Sequence, residues 1–106
     1  MPFLDPGGML RREPFAGYAG RFVHSQHMTL VDWTIAEGAE FPEHAHPHEQ
    51  IMVVIDGRFE LPIDGDTRVL NGGGVAIIPS GARHSGRAVT PCHVIDAFHP
   101  ARDDYR

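Results

Sequence analysis

The sequence predicts a single all-β domain, built as a small sandwich or barrel of short strands. Glycine (12 residues) and proline (9 residues) interrupt its 106 residues at short intervals, and no segment keeps apolar side chains at helical spacing for three turns. Short alternating or apolar runs lie between these interruptions, and Asp64-Gly65 has the composition of a tight hairpin turn. Many short strands separated by turns favour a β-sandwich or barrel over a fold of alternating strands and helices.

Eight strands are predicted between these turns. In the first of them, Val31, Trp33 and Ile35 occupy alternate positions, so this face of the strand is expected to pack inward. The predicted strands span residues 28–36, 41–46, 50–56, 58–63, 67–70, 75–78, 84–89 and 94–98. Residues 1–20 are rich in proline and glycine and are expected to form an irregular arm or an exchanged edge strand, which leaves residues 21–106 as the barrel domain.

Composition and charge exclude several classes of function. The formal net charge is −5 at pH 7, so the chain has no basic field that would attract nucleic acid or an anionic membrane. The single cysteine, Cys92, excludes an intrachain disulfide and a cluster of thiolate ligands. No segment has the apolar length needed to cross a bilayer, and the N-terminal residues lack the pattern of a secretory signal. We therefore expect a cytoplasmic protein that binds any anionic ligand through a metal ion or a few arginines.

Histidines cluster in one segment of the chain. Three of the eight fall within five residues, in the segment HAHPHEQ that begins at His44. Alternate side chains of an extended chain point the same way, so residues 44, 46, 48 and 50 share one face, although Pro47 must bend the path. A second segment, GGVAIIPSGARH, turns at its PSG sequence and ends at His84. Imidazole nitrogens with an oxygen ligand suit a first-row divalent ion, and this distant histidine would complete the site.

Two assignments within this cluster stay open in the sequence. Glu49 would take the place of Gln50 if the strand register slipped by one residue. His48 lies an even number of residues from His44 and His46 and so shares their face of the strand, but the turn at Pro47 can direct it outward. We therefore expect His48 at most to contact a metal ligand and not to bind the metal itself. The isolated histidines at positions 24, 27 and 93 are expected to be structural or solvated.

Together the two segments resemble the paired motifs of the cupin superfamily, glycine-x5-HxH-x3-acid-x6-glycine and glycine-x5-PxG-x2-H. The first motif fits the chain from Gly38 to Gly57, and the second begins at Gly73. The resemblance extends from about Arg21 onward and implies a small cupin, a double-stranded β-helix or jelly-roll barrel. It also implies one divalent transition metal per chain, namely Mn, Fe, Ni, Co or Zn. The implied metal ligands are His44, His46, Gln50 and His84.

One of these ligands departs from the family pattern. Gln50 stands where the family usually has a glutamate. Three neutral imidazoles and a neutral amide leave the two positive charges of the ion uncompensated by its ligands, which strengthens it as a Lewis acid and attracts anionic oxygen atoms. Gln50 therefore favours an anionic, oxygen-rich substrate and non-redox chemistry.

The C-terminal segment VIDAFHPAR places Asp96 and Phe98 on one face of the last predicted strand. Asp96 lies within an apolar run, where an unpaired carboxylate is costly. Two readings follow: Asp96 takes part in chemistry, or it forms a buried ion pair with Arg102 that fastens the C-terminal residues.

With the segment EHAHPHEQ, this ending resembles the small cupins of pectin and alginate breakdown, the KdgF type. Those enzymes open the ring of 4,5-unsaturated uronates to give 5-keto-4-deoxyuronate. The resemblance implies catalytic roles for Asp96, Phe98 and Arg102, in an Asp-x-Phe-x3-Arg pattern, and a small anionic substrate.

The same residues suit other functions. The cupin fold hosts many reactions, so a metal-dependent dioxygenase, a lyase or a polyketide cyclase is a second hypothesis, and a non-catalytic binding cupin is a third. Cupins are usually dimers, so the resemblance also implies a homodimer.

Overall fold

The computed structural model describes residues 3–106, and within them the chain forms ten β-strands and two single-turn 3₁₀ helices. The strands are β1 (Leu10–Phe15), β2 (Tyr18–His24), β3 (Thr29–Ile35), β4 (Glu40–His44), β5 (Glu49–Asp56), β6 (Arg58–Ile63), β7 (Asp66–Asn71), β8 (Val75–Ile78), β9 (His84–Ala88) and β10 (Cys92–His99). The helical turns, Pro6–Gly8 and Asp103–Tyr105, flank the strands at the two ends. No helix in residues 3–106 is long and apolar enough to cross a membrane.

The strands form two antiparallel sheets that pack face to face. The larger sheet has the order β1-β2-β3-β10-β5-β8, and the smaller has the order β4-β9-β6-β7. Several neighbours are distant in the chain, since β10 pairs with both β3 and β5. Such crossovers are typical of a jelly-roll barrel. The prediction of a single all-β domain built as a jelly-roll barrel is confirmed.

Apolar side chains from both sheets fill the space between them. On β3, Val31, Trp33 and Ile35 are buried, whereas the residues between them are exposed or half-buried, which confirms the predicted inward face. Each large side chain buried in this way contributes roughly 1.5–3 kcal/mol. The other strands add alternate residues to the same core, among them Phe22, Met52, Val54, Phe59, Leu61, Ile78, Ala88, Val94 and Phe98.

Strands β3 to β10 correspond to the eight predicted strands, and their ends differ from the predicted ones by at most two residues. The hairpin between β6 and β7 turns at Asp64 and Gly65, whose φ angles are 46° and 83°. Two consecutive positive φ angles belong to the tight turn that this dipeptide predicts.

The N-terminal segment differs from its prediction. Strands β1 and β2 form a hairpin, and β2 pairs with β3 along its length, from Tyr18 opposite Ile35 to His24 opposite Thr29. The predicted irregular arm over residues 1–20 is therefore wrong from residue 10 onward, where β1 forms an edge strand of the larger sheet within the same chain, and the predicted domain boundary falls inside β2. Residues 1 and 2 of that arm lie outside the described residues. Strand β1 gave no signal in the sequence because five of its six residues are exposed, so apolar alternation is missing.

Strand register brings distant residues to one end of the barrel. In the smaller sheet, His44 on β4 lies opposite His84 on β9. In the larger sheet, Phe98 on β10 lies opposite Gln50 on β5. The ring centres of His46 and Phe98 are 5.7 Å apart, so the two sheets meet at this point.

Candidate metal centre

Three histidine rings converge at this end of the barrel. His44 ends β4, His84 begins β9, and His46 lies in the loop before β5. Their ring centres are 4.2 Å apart for His44 and His84, 4.9 Å for His46 and His84, and 5.3 Å for His44 and His46. One ring nitrogen from each lies within 4.8 Å of the others, which is close enough to share one metal ion.

Backbone carbonyls orient all three rings. The Nδ1 atoms of His44, His46 and His84 lie 2.8, 3.0 and 2.9 Å from the carbonyl oxygens of residues 42, 48 and 82. A carbonyl only accepts, so each Nδ1 must carry the proton and donate it, which leaves a lone pair on Nε2. Metal-binding histidines are held in this way by partners behind them. The buried Nε2 of His84 has no hydrogen-bond partner within residues 3–106.

The local environment keeps these rings neutral. Burial lowers the pKa of all three histidines, and for His46 the pKa falls to about 4, with the charge of Arg102 contributing after burial. A neutral imidazole is the form that binds a metal. The three rings therefore have the protonation and the orientation of ligands.

Gln50 lies beside this cluster and is buried, with 3% of its surface exposed. Its Oε1 is 3.1 Å from Nε2 of His46. Because Nδ1 of His46 holds the proton, both atoms of this contact bring lone pairs, and two facing acceptors repel unless a cation is shared between them. The chain thus offers four lone-pair atoms at this place: one ring nitrogen from each of the three histidines, which lie within 4.8 Å of one another, and the amide oxygen of Gln50 beside that of His46. Glu49 is exposed on the opposite face of β5, so the slipped register is not adopted.

Asp96 lies behind Gln50 and is 6% exposed. Its Oδ1 accepts a hydrogen bond of 2.9 Å from Nε2 of Gln50, and its Oδ2 accepts one of 3.0 Å from Nε1 of Trp33. Burial raises the pKa of Asp96 to about 6, although both hydrogen bonds oppose the rise. The alternative of a buried Asp96–Arg102 ion pair is wrong, because the guanidinium of Arg102 pairs with Asp104 and the hydrogen-bond partners of Asp96 are Gln50 and Trp33.

Arg102 pairs with Asp104 instead. Its Nε and Nη2 donate bonds of 2.9 and 2.7 Å to the two carboxylate oxygens of Asp104. The guanidinium lies against two aromatic rings, with its carbon 4.8 Å from the ring centre of Phe98 and 4.2 Å from that of Tyr105. Its Nη1 is buried and has no partner in the described part of the chain. This fixed charge contributes to the lowered pKa of the clustered histidines.

A small cavity of about 30 Å³ adjoins the metal site inside the barrel. His44, His84, Asp96 and Phe98 line it together with core residues such as Trp33. This volume admits a water-sized group but not a sugar ring. A substrate of sugar size would therefore bind mainly outside this cavity.

The sequence reading missed two of these partners. Trp33 was assigned only to the core, although its indole nitrogen holds Asp96, and Asp104 was not assigned at all.

The open question about His48 has a partial answer. Its backbone carbonyl receives the Nδ1 proton of His46, and its ring lies 5.5 Å from that of His46. His48 thus supports a ligand from behind.

Comparison with known proteins agrees with this geometry. The family described as Cupin domain matches residues 31–98. The chain belongs to the cupin family. The matched segment contains all four residues of the candidate metal site, and the motif spacings that suggested the family lie within it.

Two solved cupin structures are similar over the whole chain. An RmlC-like cupin from Shewanella frigidimarina superposes with a TM-score of 0.92 at 27% identity, covering 100% of this chain and 96% of that one. KdgF from Halomonas gives a TM-score of 0.91 at 28% identity, covering 100% and 99%. The resemblance to KdgF-type cupins is therefore confirmed at the level of the fold and the family.

One curated relative carries the name of a dioxygenase. Quercetin 2,3-dioxygenase of Bacillus subtilis (strain 168) is 45% identical over an alignment of 94 positions, which covers 82% of this chain and 28% of that protein. The chain thus spans just over a quarter of the length of the dioxygenase.

Proposed function

We propose that this cupin is a metal-dependent enzyme that opens the ring of a 4,5-unsaturated uronate to give 5-keto-4-deoxyuronate. The observation that carries the proposal is the position of Asp96. This carboxyl group is buried, has a pKa near neutrality at about 6, and lines the same cavity as two of the clustered histidines. The similarity to KdgF from Halomonas over the whole chain supports the choice of reaction.

His44, His46, Gln50 and His84 would hold one divalent ion, with Mn, Fe, Ni, Co and Zn as the candidates. When bound, such an ion supplies Lewis acidity toward anionic oxygen atoms of the substrate. The chain orients the three imidazoles through backbone carbonyls and the amide through Asp96.

Asp96 would move the proton. It accepts the proton of the anomeric hydroxyl as the bond between the anomeric carbon and the ring oxygen breaks, which leaves an aldehyde and an enolate. The same carboxyl group then delivers that proton to carbon 4, and the enolate becomes the 5-keto group. Atoms balance, since the reaction is an isomerisation. A carboxyl group with a pKa of about 6 can both accept and return a proton near neutral pH.

Arg102 and Phe98 would bind and enclose the substrate. Within residues 3–106 the buried Nη1 of Arg102 is a charged donor that has no hydrogen-bond partner, and a substrate carboxylate is a matching acceptor. Phe98 packs against both the guanidinium and the ring of His46, so it fixes their separation and keeps water from the space between them.

The test is an ultraviolet assay of the unsaturated uronate with protein loaded separately with each of the five metals. The enol-ether absorbance should decay faster than it does spontaneously, and Asp96→Asn should abolish the acceleration. If no metal gives acceleration, the proposal is overturned, and ligand binding without turnover would then favour a non-catalytic cupin.

A dioxygenase is the second candidate function, because 45% identity to a quercetin dioxygenase favours it. Against it stands the neutral Gln50, since a carboxylate ligand suits redox chemistry at such a centre more often. Oxygen uptake by the iron-loaded protein with a flavonol substrate would support the dioxygenase. If the protein turns over the uronate but takes up no oxygen with the flavonol, the dioxygenase is excluded.

We also propose that the protein forms a homodimer through the outer face of its larger sheet. Ile51, Val75 and Ile77 lie side by side on β5 and β8 and are 44%, 57% and 65% exposed. Exposed neighbouring apolar residues of this kind mark interaction surfaces. Light scattering should give twice the mass of one chain for the wild type and a monomer for Ile77→Lys. Wild-type protein that is monomeric at micromolar concentration would contradict this proposal.

A further inference from the structure

A continuous line of hydrogen bonds runs from the core to the candidate metal site. Nε1 of Trp33 donates to one oxygen of Asp96 at 3.0 Å, and the other oxygen of Asp96 accepts from Nε2 of Gln50 at 2.9 Å. At its far end, Oε1 of Gln50 lies 3.1 Å from the metal-facing nitrogen of His46. Trp33, Asp96 and Gln50 are 2%, 6% and 3% exposed, so water does not weaken these contacts.

The amide of Gln50 uses its two ends differently. The nitrogen end donates to the carboxylate of Asp96, and the oxygen end faces the clustered histidines. A glutamate at this position would place a second carboxylate within hydrogen-bond distance of Asp96. Two carboxylates that close cannot both stay charged. Asp96 therefore explains why an amide stands at the position where an acidic ligand is usual.

This arrangement also changes the charge balance inferred from the sequence. The four ligands are neutral, but a carboxylate lies directly behind one of them and is hydrogen-bonded to it. The competing cation, Arg102, is already paired with Asp104. The negative charge that the family usually carries on a ligand thus lies on Asp96, which is hydrogen-bonded to the ligand Gln50.

We propose that Asp96 is the buried counter-charge of the metal ion, that Gln50 couples it to the ion through its amide, and that Trp33 is the positioning residue that holds Asp96 in place. The pair Gln50–Asp96 then acts as one unit that sets metal affinity. The inference depends on the metal site and not on the uronate reaction, and it applies equally to a dioxygenase.

A charge exchange within the pair tests this inference. In Asp96→Asn the negative charge is lost. The carboxamide has a single acceptor oxygen, so it can accept a hydrogen bond from only one of Trp33 and Gln50, and its NH₂ group faces the N–H of the other. Zn²⁺ affinity, measured by competition with a chelating dye, should fall by about 10–100-fold. In the double variant Gln50→Glu/Asp96→Asn, the amide at position 96 accepts from Trp33 and donates to the carboxylate at position 50. The charge returns to the ligand, and affinity should recover to the wild-type value or better.

Two outcomes would overturn the inference: wild-type affinity in Asp96→Asn, or a double variant that binds Zn²⁺ as weakly as Asp96→Asn does. Asp32→Asn is the matched control, because Asp32 lies on the same strand as Trp33 but pairs with His93 outside the core. Its Zn²⁺ affinity should not change. Uronate turnover separates this inference from the proposed function, since the double variant should regain metal but remain inactive.

A second measurement keeps the inference testable if Asp96→Asn does not fold. Trp33 is the single tryptophan of the chain, and its indole nitrogen is bonded to Asp96. Zn²⁺ has no unpaired electrons, so it can change tryptophan emission only by altering the surroundings of the ring. Emission of the wild-type protein should change until one equivalent of Zn²⁺ is bound. Binding without any change in emission would contradict the proposed coupling.

Discussion

The guanidinium carbon of Arg102 lies 4.2 Å from the ring centre of Tyr105. The ring and the bidentate bond to Asp104 together hold a charged group inside the protein, close to the clustered histidines. Lysine has neither the planar fork nor the flat face that these contacts require.

Substitution Arg102→Lys should therefore weaken substrate binding. Loss of a charged, aimed donor costs about 1.5–3 kcal/mol, which corresponds to roughly a 10–100-fold rise in KM for the uronate. Steady-state kinetics on protein loaded with the metal that gives the fastest turnover would measure the rise, with metal content checked separately. Arg106→Lys is the control, because Arg106 is exposed and pairs only with Asp103 in the described part of the chain. An unchanged KM in Arg102→Lys would remove Arg102 from the substrate site.

Metal content should depend on the three clustered histidines. The wild-type protein should hold one equivalent of a divalent ion by elemental analysis. His84→Ala should hold almost none, because it lacks the Nε2 ligand of His84, an atom that has no hydrogen-bond partner within residues 3–106. His27→Ala, at an exposed position outside the cluster, should keep the full equivalent.

Removal of the metal should also lower stability. A ligand present at 100 times its Kd stabilises the folded state by about 2.7 kcal/mol. Chelation should therefore lower the Tm of the wild type and leave that of His84→Ala unchanged. Equal shifts in the two proteins would show that the chelator acts elsewhere.

Gly86 should not tolerate a side chain. It lies on β9, two residues after His84, and a Cβ at this position would overlap the ring of Phe59. Overpacking of this kind costs about 1–3 kcal/mol, so Gly86→Ala should lower the free energy of unfolding in urea by that amount. Gly7→Ala is the control, because a Cβ there meets nothing within 4 Å. Equal stability of the two variants would contradict the packing described for this strand.

Acid should weaken the attachment of the C-terminal segment through His24. The ring of His24 is bonded to Oγ1 of Thr29 at 2.8 Å, and the same oxygen accepts the backbone N–H of Arg102. Burial, followed by the charge of Arg106, lowers the pKa of His24. A histidine whose folded pKa is lowered contributes stability that is present above its unfolded pKa of about 6.5 and is lost as the pH falls through the folded pKa.

The Tm of metal-free wild-type protein should accordingly fall more steeply below about pH 6.5 than the Tm of His24→Gln. Glutamine can still bond to Thr29 but does not titrate. Parallel curves for the two proteins would show that His24 takes no part in the acid response.

The sequence predicted the barrel well because its signals are local. Turn residues such as Asp64 and Gly65, and alternation such as that of Val31 and Trp33, depend on neighbours in the chain. The prediction that residues 44, 46 and 50 share one face likewise depends only on local strand geometry. Strand β1 was missed because it is exposed, and exposed strands lack the apolar alternation that identifies the others.

The partners of Asp96 were not predictable in the same way. The sequence suggested Arg102 because it is near in the chain and opposite in charge. The structure pairs Asp96 with Trp33 and Gln50, which are 63 and 46 residues away. These contacts follow from β10 lying between β3 and β5, and one sequence without strand order does not reveal that placement.

The position of β10 has a consequence for folding of the protein during its synthesis on the ribosome. This strand occupies the interior of the larger sheet, yet of the ten strands in residues 3–106 it is translated last. Until it emerges, β3 and β5 have no neighbour between them, and Gln50 has no carboxylate behind it. A nascent chain would thus expose two open sheet edges up to that moment, and the ligand Gln50 would gain its hydrogen bond to Asp96 only after β10 has left the exit tunnel.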